Sequence, residues 1–182
     1  HTVDGLVLGN VKVVRTGFRG QVAQRAAGFR LATTPFVLQL DDDIQISETC
    51  LSVLLTRVAA SAHVAAGPKW YDARTGKYHS FLVPDVAGPT RFQKLLYWVI
   101  NGRAGFQAGV IGKAGVNMGV PETPGTWEGV DWLAGGCLMH RRENLILEDF
   151  YPFTGKAWAE DLFHSRLLKA KGVKLVRCGA AA

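Results

Sequence analysis

The sequence predicts an α/β fold in which a mostly parallel central sheet is flanked by helices. Three observations carry this. Short β-rich runs at residues 11–14 and 36–40 bracket a helical stretch at about 21–32, a βαβ pattern. The segment after Ser47 has helical spacing, and an apolar run at 63–66 restores the alternation of strand and helix. The 182 residues, 48% of them hydrophobic, suit one sizeable core and leave little room for two, so residues 1–182 read as one unit.

The first helix places Val22, Ala26 and Phe29 on one stripe. Ser47 is a candidate cap for the second, in which Leu51, Leu54, Leu55 and Val58 fall at i, i+3, i+4 and i+7 before an end near residue 62. Residues 67–88 lose periodicity and carry Pro68, Gly76 and Pro84, which reads as a hairpin or insertion. Residues 90–101 align Phe92, Leu95, Leu96 and Val99 as a short helix, and the glycine-rich stretch 102–129 reads as irregular loop. An apolar segment at 132–139 surrounds Gly135 and Gly136. A last helix at about 158–171 stops at Gly172, a natural C′ residue, and 173–177 is strand-like. The chain opens on His1 straight into strand-like sequence and closes on Gly179 and three alanines, so both ends read as cut.

Three cysteines, Cys50, Cys137 and Cys178, are odd in number and widely spaced. They fit neither a disulfide framework nor a CxxC metal site, and they point to a reducing compartment. The longest apolar run, near 95–100, falls far below the roughly 18 residues that span a bilayer. A net charge of +6 favours a polyanionic partner, but the lysines and arginines are scattered rather than gathered into a stripe, which argues against nucleic acid.

The greatest chemical content lies in Asp41, Asp42 and Asp43, three consecutive carboxylates directly after an apolar strand. In an extended segment Asp41 and Asp43 project the same way, and two close carboxylates repel unless a cation or proton intervenes. A divalent cation with oxygen ligands resolves this, and ligands of α/β sheets bind beyond the carboxyl ends of strands, where a metal can bridge a diphosphate. A solvated acidic turn is the plain alternative.

Taken together, residues 19–28 (RGQVAQRAAG), Ala32 and residues 36–43 resemble the central motif of family-two glycosyltransferases with the GT-A fold, in which a glycine-led helix precedes a strand ending in a DxD metal motif. Residues 132–137 (WLAGGC), then 153–155, then Glu160-Asp161 on a helix with Arg166 and Gly172, look like that family's acceptor-side region. The resemblance covers about 11–177 and lacks the family's opening strand, helix and second strand, so it implies an N-terminally incomplete GT-A unit.

The resemblance implies transfer of a sugar from a nucleotide-diphosphate sugar, of UDP or GDP type, to a saccharide or lipid-linked hydroxyl acceptor, with inversion. By position, Asp43 would be the metal ligand and Asp41 would lie near the ribose or assist the metal, Mn²⁺ or Mg²⁺; Asp42 joins the donor site. Asp161 would be the catalytic base with Glu160 as neighbour or substitute, and Trp132, Gly135 and Gly136 would meet the acceptor. The helix reads Gln-Arg-Ala-Ala-Gly where the family often has Arg-Asn-x-Gly, so the asparagine contact of many relatives is not implied here, and Arg25 is carried over as a candidate phosphate contact. Cell-envelope polysaccharide, lipopolysaccharide or glycolipid assembly on the cytoplasmic side is the implied setting, with peripheral membrane association.

Residue chemistry stands beside these expectations. Glu160 and Asp161 fall in the first turn of their helix, where the macrodipole keeps a carboxylate ionised and ready to accept a proton; ordinary charge complementation is the alternative. His164, four residues on, reads first as a satisfied structural histidine, and His140-Arg141-Arg142 as a solvated basic run or a diphosphate contact. Trp127, Trp132 and Trp158 read first as core and second as sugar platforms. Residues 91–100 read as core, with an interfacial helix as the alternative. A metal-dependent nucleotidyltransferase and a non-catalytic polyanion-binding module are the competing functions.

Overall fold

Alternation along each strand decides which side chains meet. In the computed structural model, which describes residues 8–79, 90–122, 125–153 and 157–182, five strands form one sheet in the order β1-β4-β2-β5-β3. They are β1 (Phe36–Leu40), β2 (Val64–Gly67), β3 (Trp127–Glu128), β4 (Cys137–Arg141) and β5 (Lys174–Arg177). Val64, Ala66, Cys137, Met139 and Val176 face one side, where Cys50, Leu54 and Val58 of helix α2 (Cys50–Ala59) cover them. Ala65, Leu138 and Leu175 face the other, against Leu133, Ile146 and, from helix α4 (Glu160–Ala170), Leu168. Helix α1 (Gln21–Leu31) lies on that second side, with Phe29 edge-on to His140.

The class is α/β, as the alternation predicts, and the sheet is mixed. β1, β2 and β5 run in one direction while β4 and β3 oppose them, so β2–β5 is the parallel pair among the described residues. β4 arrives from far along the chain and inserts between β1 and β2, which sequence alternation alone could not place.

Several local expectations are corrected. Residues 11–14 form no strand: Val11, Val13 and Val14 are exposed and pair with no neighbour, and β-propensity without a partner edge does not make a strand. Ser47 does not cap α2. Its amide donates to the Ala182 carbonyl, and the helix starts after Thr49 without a side-chain cap. The buried stripe of α2 is Cys50, Leu54 and Val58, with Leu51 and Leu55 left at the exposed rim. The insertion after β2 is a hairpin with Tyr71 opposite Tyr78; its remainder, Pro84 included, lies outside the described residues.

Helix α3 (Arg91–Asn101) begins with a capping box, in which the Thr90 hydroxyl accepts from the Gln93 amide and the Gln93 side chain accepts from the Thr90 amide. Its apolar stripe is not core. Asn101 is buried and Gln93, Tyr97 and Ile100 are half-buried, whereas Phe92, Leu95, Leu96, Trp98 and Val99 are exposed. At the far end of the chain α4 stops as the sequence predicts, with Gly172 at φ +79°.

Candidate active site

Register builds the site. Pairing of Leu40 with Cys137 places the residue after β1 beside the residue before β4, and the Asp41 amide donates to the Gly136 carbonyl at 2.9 Å. The first carboxylate of the acidic run and the double glycine, 95 positions apart, thereby share one sheet edge. Gln39, a buried amide in an otherwise apolar strand, donates its side-chain Nε2 to the Gly135 carbonyl and ties the same junction from below.

Glycine is required here by space. A Cβ on Gly136 would stand 2.8 Å from the Trp70 ring, closer than real Cβ contacts come, with the Asp41 carboxylate at 3.5 Å. A Cβ on Gly135 would stand 3.2 Å from Glu160 Oε1 and 3.5 Å from Arg25 Nη1. The double glycine is the floor on which carboxylates, guanidinium and indole converge.

Arg25 joins the two acidic motifs. α1 starts at Gly20, whose φ of +122° suits glycine, and turns Val22, Ala26 and Phe29 inward, which brings the Arg25 side chain over the sheet edge. Its Nη2 lies 3.4 Å from Asp41 Oδ1 and its Nη1 lies 3.5 Å from Glu160 Oε1. The guanidinium is 9% exposed and offsets two carboxylates that would otherwise repel.

Asp161 lies in the first turn of α4, beside Glu160. Burial first, and the neighbouring Glu160 charge second, push its carboxyl up from 3.8 to about 6, against the Leu162 amide at 2.9 Å and Arg25, which pull it down. The helix dipole therefore does not set its ionisation; desolvation outweighs it. At pH 7 the group is ionised and closer to a proton's affinity than an exposed aspartate, as general-base chemistry favours. The preceding residue, Ala159, holds left-handed geometry at φ +56°, a strained state for a side chain with Cβ, and it fixes where α4 presents Glu160 and Asp161.

Behind the carboxylates lie two histidines. His140 and His164 are buried, their ring centroids are 5.4 Å apart, and neither ring nitrogen of either has a hydrogen-bond partner among the described residues. His164 is thus a buried structural histidine, stacked on Phe150, but not a satisfied one. Desolvation foremost lowers both, His164 to about 4, so both are neutral at pH 7. Of the run 140–142, His140 is buried and Arg141 half-buried, while Arg142 is exposed and solvated; both arginines also bond to backbone carbonyls. Arg141 donates to the Val58, Ala59 and Ser61 carbonyls at the end of α2, and Arg142 to the Ala32 carbonyl after α1.

The remaining candidates spread around this centre. Asp42 and Asp43 are exposed, and β1 ends at Leu40, with 42–43 in a turn, so strand alternation no longer dictates that Asp41 and Asp43 project alike. Asp43 instead borders a cleft with Lys69, Trp70 and Tyr71, while Asp41 borders another with Gln24, Arg25 and Gln39. Trp132 is buried and donates its indole N–H to the Met118 carbonyl at 2.9 Å. Trp158 is exposed, its amide donating to the Tyr151 hydroxyl. Residues 154–155 of the sequence motif lie outside the described residues.

Two site residues escape sequence reasoning. Trp70, after a proline in an aperiodic segment, offered no signal for its place against Gly136. Gln39 offered one, a lone amide inside the run FVLQL. The cysteines are free and buried, and burial raises Cys137 to about 12 and Cys178 to about 11, which leaves them inert as nucleophiles.

Comparison with known proteins defines the class first. The crystal structure of GalNAc-T7 with UDP, GalNAc and Mn²⁺ superposes with a TM-score of 0.58 at 16% identity, over 95% of this chain and 31% of that one. That likeness shows the fold, a GT-A glycosyltransferase fold, and the chain spans about a third of the protein it matches. The model of glycosyl transferase family 2 matches residues 4–114, more than half of the sequence, and the chain belongs to that family. No curated protein matches it.

Proposed function

We propose that the chain transfers a sugar from a nucleotide-diphosphate sugar to a hydroxyl acceptor. The observation that carries this reading is the convergence at one sheet edge of Arg25, Asp41, Glu160 and Asp161, with Asp161 raised to about 6. In the reaction the acceptor oxygen forms a bond to the anomeric carbon, the bond from that carbon to the diphosphate oxygen breaks, and Asp161 takes the hydroxyl proton. A single displacement of this kind inverts the anomeric centre. Arg25 would hold a diphosphate by bidentate hydrogen bonds in exchange for its long contacts to Asp41 and Glu160.

A divalent cation is the expected companion of the acidic run. Asp41 and Asp43 both follow β1 but border different clefts, and among the described residues no group of three His, Cys, Asp or Glu side chains is gathered to hold an ion, so the chemistry of the carboxylate run is what supports the cation. Mg²⁺ and Mn²⁺ sites of the donor type use one or two carboxylates with substrate phosphates and water. Asp43, assisted by Asp41, would hold the ion, which would neutralise the leaving diphosphate. The presence of UDP and Mn²⁺ with GalNAc-T7 supports a UDP-type donor. Gly135 and Gly136 would lie on the acceptor side, beside a small cleft lined by Trp70, Trp132 and Ala134.

Calorimetric titration of UDP and of GDP, each with and without Mn²⁺, tests this assignment. Binding that needs the cation and is lost in Asp43→Ala is the expected result. Cation-independent binding, or undiminished binding by Asp43→Ala, rejects the metal role of the carboxylate run.

A further inference from the structure

α3 inverts the arrangement of an ordinary surface helix, which turns its apolar stripe to the core and its polar face to water. It attaches through Asn101, whose side-chain amide donates to the Gly105 carbonyl, and through Tyr97, whose ring lies 5.4 Å from that of Phe106. Outward it presents Phe92 at 73% exposure, Val99 at 65% and Trp98 at 58%, with Leu95 and Leu96 between them. The capping box fixes the helix at its start, so the stripe belongs to an ordered element.

Along the segment that carries this stripe the charge has one sign. Between Asp85 and Glu122 the sequence has no acidic residue, and it has four cations: Arg91, Lys94, Arg103 and Lys113. Arg91 and Lys94 lie on the helix itself, at the edge of the apolar face and exposed. An apolar face that carries a tryptophan, flanked by cations, matches the interfacial region of an anionic bilayer, where indole prefers the headgroup boundary and cations meet lipid phosphates. A second copy on the same face would bring these cations against their own like.

We propose that α3 is a membrane-docking helix, which lays Phe92, Leu95, Leu96, Trp98 and Val99 into the interface of an anionic lipid surface with Arg91 and Lys94 on the phosphates. This reading is independent of the transfer chemistry and holds or fails without it.

The test is co-sedimentation of the 182-residue chain with phosphatidylcholine vesicles, with and without phosphatidylglycerol, at low and high salt. Binding to the anionic vesicles, weakened by salt, is expected. Arg91→Gln/Lys94→Gln should weaken it about twenty-five-fold, from roughly a fivefold loss per cation, and Leu95→Glu/Val99→Glu should abolish it. All four positions are exposed, and far-UV circular dichroism checks that the helix content is kept. No sedimentation, equal binding to neutral vesicles, or wild-type binding by folded variants overturns the proposal. Self-association in sedimentation velocity without vesicle binding overturns it in favour of a second copy.

Discussion

Replacing Asp161 by asparagine should raise stability and destroy activity together, and the size of each effect follows from burial. The carboxyl is raised from 3.8 in the unfolded chain to about 6 in the fold, chiefly by desolvation. A raised folded pKa means that the fold favours the neutral form. Stability from that preference is complete below about 3.8 and is lost as pH rises through about 6. At roughly 1.4 kcal/mol per unit, the ionised aspartate costs up to about 3 kcal/mol at pH 8, and partial solvent screening brings this to about 1–2 kcal/mol. Asparagine keeps the shape and avoids the charge. Urea unfolding should therefore show Asp161→Asn more stable than wild type at pH 8 and nearly equal at pH 4. Turnover of donor should fall by about 10²–10⁴-fold, the usual share of a general base. A variant that is destabilised at pH 8, a stability gap that does not change between pH 4 and 8, or unimpaired turnover would refute the placement of a desolvated base.

Three further outcomes follow from the same geometry. Arg25→Gln removes the cation between Asp41 and Glu160 and should cost about 3 kcal/mol of stability; because Arg25 also pulls Asp161 down, the acid limb of the pH–rate profile should move above about 6. Gly136→Ala places a methyl 2.8 Å from the Trp70 ring and should cost about 1–3 kcal/mol in thermal unfolding, an effect that Trp70→Leu relieves if the clash is the cause. Ala159→Gly releases the left-handed strain ahead of α4 and should stabilise the fold by about 1 kcal/mol; equal stability in urea would show that φ +56° stores no strain.

The sequence by itself determined the local elements whose side chains alternate or repeat with clear period. Residues 36–40, 63–66 and 173–177 were legible as strands, and Val22, Ala26 and Phe29 as a buried stripe, because period and composition are local properties. The chemical types at the site were legible as well: a carboxylate run after a strand, a double glycine, and an acidic pair at a helix start. Only the tertiary structure decided which of them meet. Antiparallel insertion of β4 between β1 and β2 places Asp41, rather than the whole acidic run, against Gly136, and α1 brings Arg25 across to Glu160. It also decided the ionisation of Asp161, since desolvation depends on what packs around a carboxylate while the helix dipole that sequence suggests is the weaker influence. And it turned the apolar stripe of α3 outward, because periodicity defines a face but not what that face is packed against.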